Sequence, residues 1–261
     1  MPPSEGIRPI LAGHKSLIVG IANDQSIAYG CAEAFRASGA DLAITWLNDK
    51  ARPHVEPLGQ ALSAEIMAPP NVENEGELEA LFEEIGRRWG KLDSLVHSIA
   101  FAPKEDLQGG LLDCSAAGFA RAMDVSCHSF VRMAKLAAQL MTDGGTMFAM
   151  SYLGANRVVT NYNVMGPVKA ALEAACRYLA YELGPAGIRV HAISPGPLKT
   201  RAAGGLKDFD LMLNEAMEKA PLGELVDIDD VGAACAFLAT DFAKRITGGT
   251  IYVDGGANIV S

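Results

Sequence analysis

Cysteine is sparse in this chain of 261 residues: five stand at scattered positions (Cys31, Cys114, Cys127, Cys176, Cys235), with no CxxC pair among them. That pattern supplies neither a disulfide framework nor a metal site, and it fits a reducing, cytoplasmic setting. Long apolar runs are also missing. No stretch approaches bilayer-spanning length, and the opening MPPSEGIRPI lacks the apolar run of an export signal, so neither membrane insertion nor secretion is expected. Basic residues are in the minority, 22 against 31 acidic ones, and the net charge of −9 argues against a general nucleic-acid binder. Repeats and low-complexity tracts are absent, while a 49% hydrophobic content is enough to build a full core.

What is present is an alternation of short apolar runs with helical patterns. Strands are expected at 16–19, 42–46, 65–68, 92–98, 146–150, 189–194 and 250–253. Between them, helical patterns cover 26–38, a weak stretch interrupted by Pro53 and Pro57, 77–89, a long run over 115–140, about 162–183, and about 229–240. This alternation implies an α/β fold, a single doubly wound Rossmann-type domain with a seven-stranded parallel sheet flanked by helices. Ligands of such sheets bind beyond the carboxyl ends of the strands, where strand order reverses. Gly20, Ser98 and Ile99, Ser151 and Tyr152, and residues 195–200 all fall at such ends.

The usual glycine-rich dinucleotide fingerprint is lacking. The first loop reads GIANDQSIA from Gly20, with Ser26 and Ala28 where later glycines could stand. Its place between a strand and a helix still aims backbone N–H groups and a helix N-terminus at a pyrophosphate, with Ser26 as N-cap or phosphate ligand. Asp24 must then point away. At the end of the second strand, Trp46, Leu47 and Asn48 include no arginine, which leans toward NADH, while Lys50 and Arg52 keep NADPH open. Tyr162 and Lys169 lie seven residues apart, about two turns of helix, so that a phenol and an ammonium serve one site and the positive charge favours the phenolate. Pro167 between them requires that the helix begin near residue 162 or 163. A half-buried tyrosine and a surface lysine on an amphipathic helix are the plain alternative.

These motifs resemble the short-chain dehydrogenase superfamily, and within it the bacterial enoyl-acyl-carrier-protein reductases of fatty-acid synthesis. The likeness rests on GIAxxxSIAYG, HSIAFAP, SYLGANRVVTNYNVMG with Lys169, and ISPGPLKT followed by AAGGLKDF, and it covers nearly the whole chain. Positions four beyond the six tyrosines hold Glu33, Asn156, Gly166, Glu182, Pro185 and Gly256, so the Tyr-x3-Lys spacing of carbonyl-reducing members does not occur. The resemblance implies reduction of an enoyl thioester by NADH, with Tyr162 on the thioester oxygen and Lys169 on the nicotinamide ribose. Tyr152 would be a second active-site tyrosine or an apolar wall. Cofactor contacts are implied at Gly20, Ser26, Ile27, Leu47, Asn71, Val72, Ile99, Lys169, Leu198, Lys199, Thr200, Arg201 and Ala202, and substrate contacts at Ala102, Tyr152, Met165 and Leu206. Asn71 stands where these reductases commonly carry Asp, and Ala100 where Gly is usual. A carbonyl reductase of the same fold and a non-catalytic dinucleotide sensor are the competing readings.

Residues 197–221 mix small and apolar side chains, as a substrate-binding lid would. Lys199, Arg201 and Lys207 give that segment a basic edge on which an acidic acyl carrier protein could dock. The helical stretches 115–140 and 162–183 carry more apolar residues than one sheet contact needs, and the family similarly forms homotetramers through them.

Overall fold

The computed structural model describes residues 9–200 and 209–260, and for 209–212 the backbone alone. Seven strands, β1 (Lys15–Val19), β2 (Asp41–Thr45), β3 (Ile66–Ala68), β4 (Ser94–His97), β5 (Gly145–Met150), β6 (Ile188–Pro195) and β7 (Thr250–Val253), form one sheet in the order β3-β2-β1-β4-β5-β6-β7. All of its pairings are parallel. Strand order reverses between β1 and β4, where Val19 lies opposite His97. Apolar side chains on both faces explain why β1, β2, β4 and β5 read as unbroken hydrophobic runs rather than alternating ones.

Helices cover both faces. α1 (Ile27–Ala37), α2 (Arg52–Ala61) and α9 (Ile228–Ala239) pack with one apolar cluster that includes Phe35, Ile44, Phe148 and Val231. α3 (Glu77–Trp89), α6 (Ser129–Ala138) and α7 (Met165–Leu183) pack with the other, around Leu81, Phe130, Met147 and Leu172. Among the described residues three further helices are α4 (Lys104–Gln108), α5 (Ala116–Met123) and α8 (Phe209–Lys219). α9 opens on a capping box, in which the Asp227 side chain accepts from the Asp230 N–H and the Asp230 carboxylate accepts from the Asp227 N–H.

Two sequence expectations change here. The long helical stretch 115–140 is not one regular helix: a π-helical turn at Asp124–His128 separates α5 from α6. The Tyr162 helix begins later than expected, at Met165, because Asn161 and Asn163 take left-handed backbone angles (φ 65° and 44°) that a helix does not admit. Pro167 then occupies the third helical position, where its missing N–H has no helical acceptor to lose. No helix among the described residues is long and apolar enough to cross a membrane.

α1 and α9 cross at two glycines. A Cβ added at Gly30 would lie 2.3 Å from the Ile228 carbonyl oxygen, and one at Gly232 would lie 2.3 Å from that of Gly30. Gly30→Ala and Gly232→Ala are each expected to destabilise the fold by about 1–3 kcal/mol through overpacking. Urea unfolding measures this, and an unchanged midpoint would show that the two helices part without cost.

Candidate active site

A single cleft gathers the carboxyl ends of four strands. Gly20 follows β1, Ser98, Ile99 and Ala100 follow β4, Ser151 and Tyr152 follow β5, and Pro195 to Leu198 close β6; all of them line it. Gly20 must be glycine for two reasons. Its φ of +102° suits no L side chain, and a Cβ there would stand 2.3 Å from the Ser98 carbonyl oxygen. Ser26 and Ile27 bring the start of α1 to the same cleft, with its unsatisfied N–H groups and positive end. The Ser26 hydroxyl does not cap the helix as expected. It turns back to accept from the Ala22 and Asn23 N–H groups, both at 3.0 Å, and donates to the Asn23 side-chain oxygen, fixing the loop instead. Asp24 is exposed and lies off the cleft, as a carboxylate near a phosphate site must.

Tyr162 and Lys169 both line the cleft, though not as two residues of one helix: Tyr162 sits in the turn ahead of α7 and Lys169 in its second turn. Lys169 is only 4% exposed, and its Nζ donates to the Met150 carbonyl oxygen at 2.6 Å, tying α7 to the end of β5. Burial pulls the ammonium down to about 8. Tyr162, 8% exposed, packs against Tyr152 with ring centroids 4.8 Å apart. Burial pushes the Tyr162 phenol up, Tyr152 adds to that, and the lysine does not offset it. Tyr152 is likewise pushed up to about 12, by burial first and then by Glu215 of α8. The expected lysine-stabilised phenolate is not what the structure gives: burial keeps the Tyr162 phenol protonated, and its hydroxyl is bonded to no described residue.

The walls are held by side chains that carry no motif. In the π-helical turn, the buried Ser126 hydroxyl accepts from the Phe101 N–H (2.9 Å) and donates to the Phe101 carbonyl (3.0 Å). Arg121 stacks over the Phe101 ring at 4.5 Å and forks onto both Glu73 carboxylate oxygens. Behind the lysine, buried His97 meets Ser129 at 2.7 Å; since the Ser129 hydroxyl donates to the Val125 carbonyl, the His97 Nε2 carries the proton. Desolvation holds His97 down to about 3, so it stays neutral at working pH. On the opposite side, Glu173 accepts from Ser151 Oγ (2.6 Å) and Asn156 Nδ2 (3.1 Å), and Asn156 also donates to Tyr252 on β7. A buried carboxylate on an amphipathic helix has no sequence signature.

Of the expected site residues, Gly20, Ser26, Ile27, Ile99, Ala102, Tyr152, Tyr162, Met165, Lys169, Leu198 and Thr200 come together around the cleft. Leu47, Asn71, Val72 and Lys199 do not line it: Leu47 and Lys199 are exposed, and the Val72 side chain belongs to the core. Asn71 uses its side-chain oxygen on the Glu73 N–H and its own N–H on Glu77. Arg52, which kept NADPH open, forks onto Glu56 in an exposed pair. Arg201, Ala202, Leu206 and Lys207 lie outside the described residues.

A Cβ on Gly154 would fall 2.3 Å from Cδ1 of the Tyr162 ring. Gly154→Ala is therefore expected to lower turnover at least about tenfold by moving the phenol, a displacement of the kind that positioning effects make costly. A melting temperature close to that of the parent would accompany it. Unchanged kcat in steady-state kinetics would show that the ring position does not matter.

Comparison with known proteins places this geometry. The family described as Enoyl-(Acyl carrier protein) reductase matches residues 20–258. Enoyl-[acyl-carrier-protein] reductase [NADH] 2 of Rhizobium meliloti is 44% identical over 97% of this chain and 94% of its own length. The NADH-dependent enoyl-[acyl-carrier-protein] reductase of Nostoc is 45% identical over 96% of this chain and 98% of its own. Among solved structures, the Anaplasma phagocytophilum reductase in complex with NAD superposes with a TM-score of 0.93 at 41% identity, covering 97% of this chain and 96% of that one. The Bacillus cereus reductase with NADP+ and indole naphthyridinone gives 0.94 at 40% identity, covering 97% and 99%. Matched over nearly its whole length in both sequence and backbone, this chain belongs to the enoyl-(acyl carrier protein) reductase family.

Proposed function

We propose that this protein reduces the trans-2 double bond of enoyl thioesters carried on acyl carrier protein, taking its reducing equivalents from NADH, in the elongation cycle of fatty-acid biosynthesis. One observation carries the assignment of roles: Tyr162 presents a neutral hydroxyl, bonded to no described residue, in the cleft that also holds the Lys169 ammonium. Residues fit the cofactor. The close backbone approach at Gly20 and the N-terminus of α1 form a cradle for a pyrophosphate, and Lys169 spends one of its three N–H groups on Met150, leaving two for ribose hydroxyls. When bound, NADH supplies the hydride that adds at Cβ.

The chain's own part is electrostatic. Tyr162 donates to the thioester oxygen, and this bond strengthens as negative charge grows there on the way to the enolate. A phenol kept neutral by burial keeps its proton available for that bond. Tyr152, Ala102 and Met165 bound the acyl side, and the pinning of Phe101 by Ser126 holds the opposite wall. The end of β2 carries no arginine at 46–48, and Arg52 forks onto Glu56, which supports NADH over NADPH. Residues 197–221, with α8 standing near Tyr152, act as the lid over the acyl chain, and exposed Lys199 contributes to the carrier-facing edge. All five cysteines are free, which supports a cytoplasmic enzyme. Outward residues Tyr178 and Tyr181 of α7, 72% and 83% exposed, support assembly into a homotetramer through that helix.

NADH oxidation with crotonyl and longer enoyl thioesters tests the activity, and a rate with NADPH exceeding that with NADH would reverse the cofactor assignment. Tyr162→Phe is expected to lower kcat by about a hundredfold, the scale of one lost oxyanion donor, with little change in NADH affinity. Parental turnover in that variant would remove Tyr162 from the chemistry. For assembly, Tyr178→Glu with Tyr181→Glu is expected to reduce the sedimenting species below the tetramer. A parental chain that sediments as an active monomer contradicts this reading.

A further inference from the structure

We infer that Glu173 is a positioning residue of this site, which from one turn beyond Lys169 anchors the turn bearing Tyr152 and supplies the negative charge that faces the lysine ammonium. The inference rests on Lys169 as the ribose-binding group. Glu173 is 4% exposed, yet forms no ion pair closer than 4.0 Å with any described cation. A carboxylate so far from water needs both hydrogen-bond donors and an opposite charge. Ser151 Oγ and Asn156 Nδ2 provide the donors. Lys169, four residues earlier on the same helix, provides the charge, at a spacing that sets two side chains side by side.

The two donors bracket the segment 151–156. Between them Tyr152 packs on the Tyr162 ring and Gly154 lies flat against it, leaving no room for a Cβ. Holding both ends of this segment therefore sets the position of both phenols. Asn156 extends the hold to Tyr252 on β7, so that α7 and β7 are joined through the segment 151–156.

The charge argument follows from what else faces Lys169. From the π-helical turn comes Cys127, from α7 Cys176 as well as Glu173, and from β4 His97. Burial raises both thiols, Cys176 to about 12, and His97 is held neutral. Tyr152 and Tyr162 on the facing turns are neutral as well. Cys127 and Cys176 oppose the desolvation of the ammonium ahead of Glu173, but only as thiolates; with both held protonated by burial, Glu173 is the one carboxylate among the described groups that acts on the lysine.

The test is NADH affinity, read by fluorescence between pH 6 and 10 without turnover. In the parent protein, binding should weaken as pH rises through the point where Lys169 loses its proton. Glu173→Gln, which keeps the shape and removes the charge, is expected to move this loss about half a unit or more toward lower pH and to reduce kcat. An unmoved limb overturns the inference whatever happens to kcat, because a purely structural role lowers kcat without shifting the limb. Should Glu173→Gln fail to fold by circular dichroism, Glu173→Asp takes its place: the shorter carboxylate keeps the charge but releases the turn, so a parental limb together with a reduced kcat supports the inference, and a shifted limb or a parental kcat overturns it. Lys169→Met must abolish the limb. If the limb persists there, the ribose role of Lys169 fails, and the inference with it, by a result that Glu173 variants alone could not give.

Discussion

A charged amine with almost no contact with water is the constraint on which this site depends. Lys169 reaches the carbonyl of Met150, the last residue of β5, and that bond fixes how far α7 stands from the sheet. Once the distance is set, the turn ahead of α7 has little freedom: it must return the chain from the end of β5 to the helix start while placing the Tyr162 ring over Gly154. The left-handed residues Asn161 and Asn163 are the local form of that return. Asparagine tolerates this conformation better than most residues, which explains why the sequence reads NYN there.

Around this amine, burial drives the ionisable groups the same way, toward their uncharged forms. Tyr152, Tyr162, Cys127 and Cys176 are raised, and His97 and Lys169 are lowered, with desolvation the leading cause in each case. A cleft lined, Lys169 apart, by uncharged groups makes any charge that appears in it strongly felt. An enolate oxygen is such a charge. Polar groups of the walls are bonded in pairs, Ser126 with Phe101 and Ser129 with His97, whose Nδ1 alone is left without a partner.

The sheet was largely legible in the sequence because its strands are buried on both faces and so appear as apolar runs bounded by glycines and polar turns. The residues that end those strands were legible for the same reason, and they form the cleft. What escaped was governed by side chains acting across elements. Glu173 reads as an ordinary solvent-facing acid, and nothing in its neighbourhood along the chain indicates that Ser151 and Asn156 will meet it. Ser26 reads as a helix cap, but its hydroxyl is closer to the N–H groups of Ala22 and Asn23 than to those of the helix. Leu47 and Val72 were placed by resemblance alone, and the fold sets one on the surface and the other in the core.

The π-helical turn at Asp124–His128 differs from a regular helix by one residue accommodated within the turn. Removing a single residue there would leave a regular helix of nearly the same span and the same amphipathic composition, and by composition it would pass for equivalent. It would also rotate everything beyond the deletion by about 100° about the helix axis. Ser126 could not then hold the two ends of Phe101 while Phe130 and Met133 kept their places in the core. In this segment the fold constrains the count of residues as much as their identity.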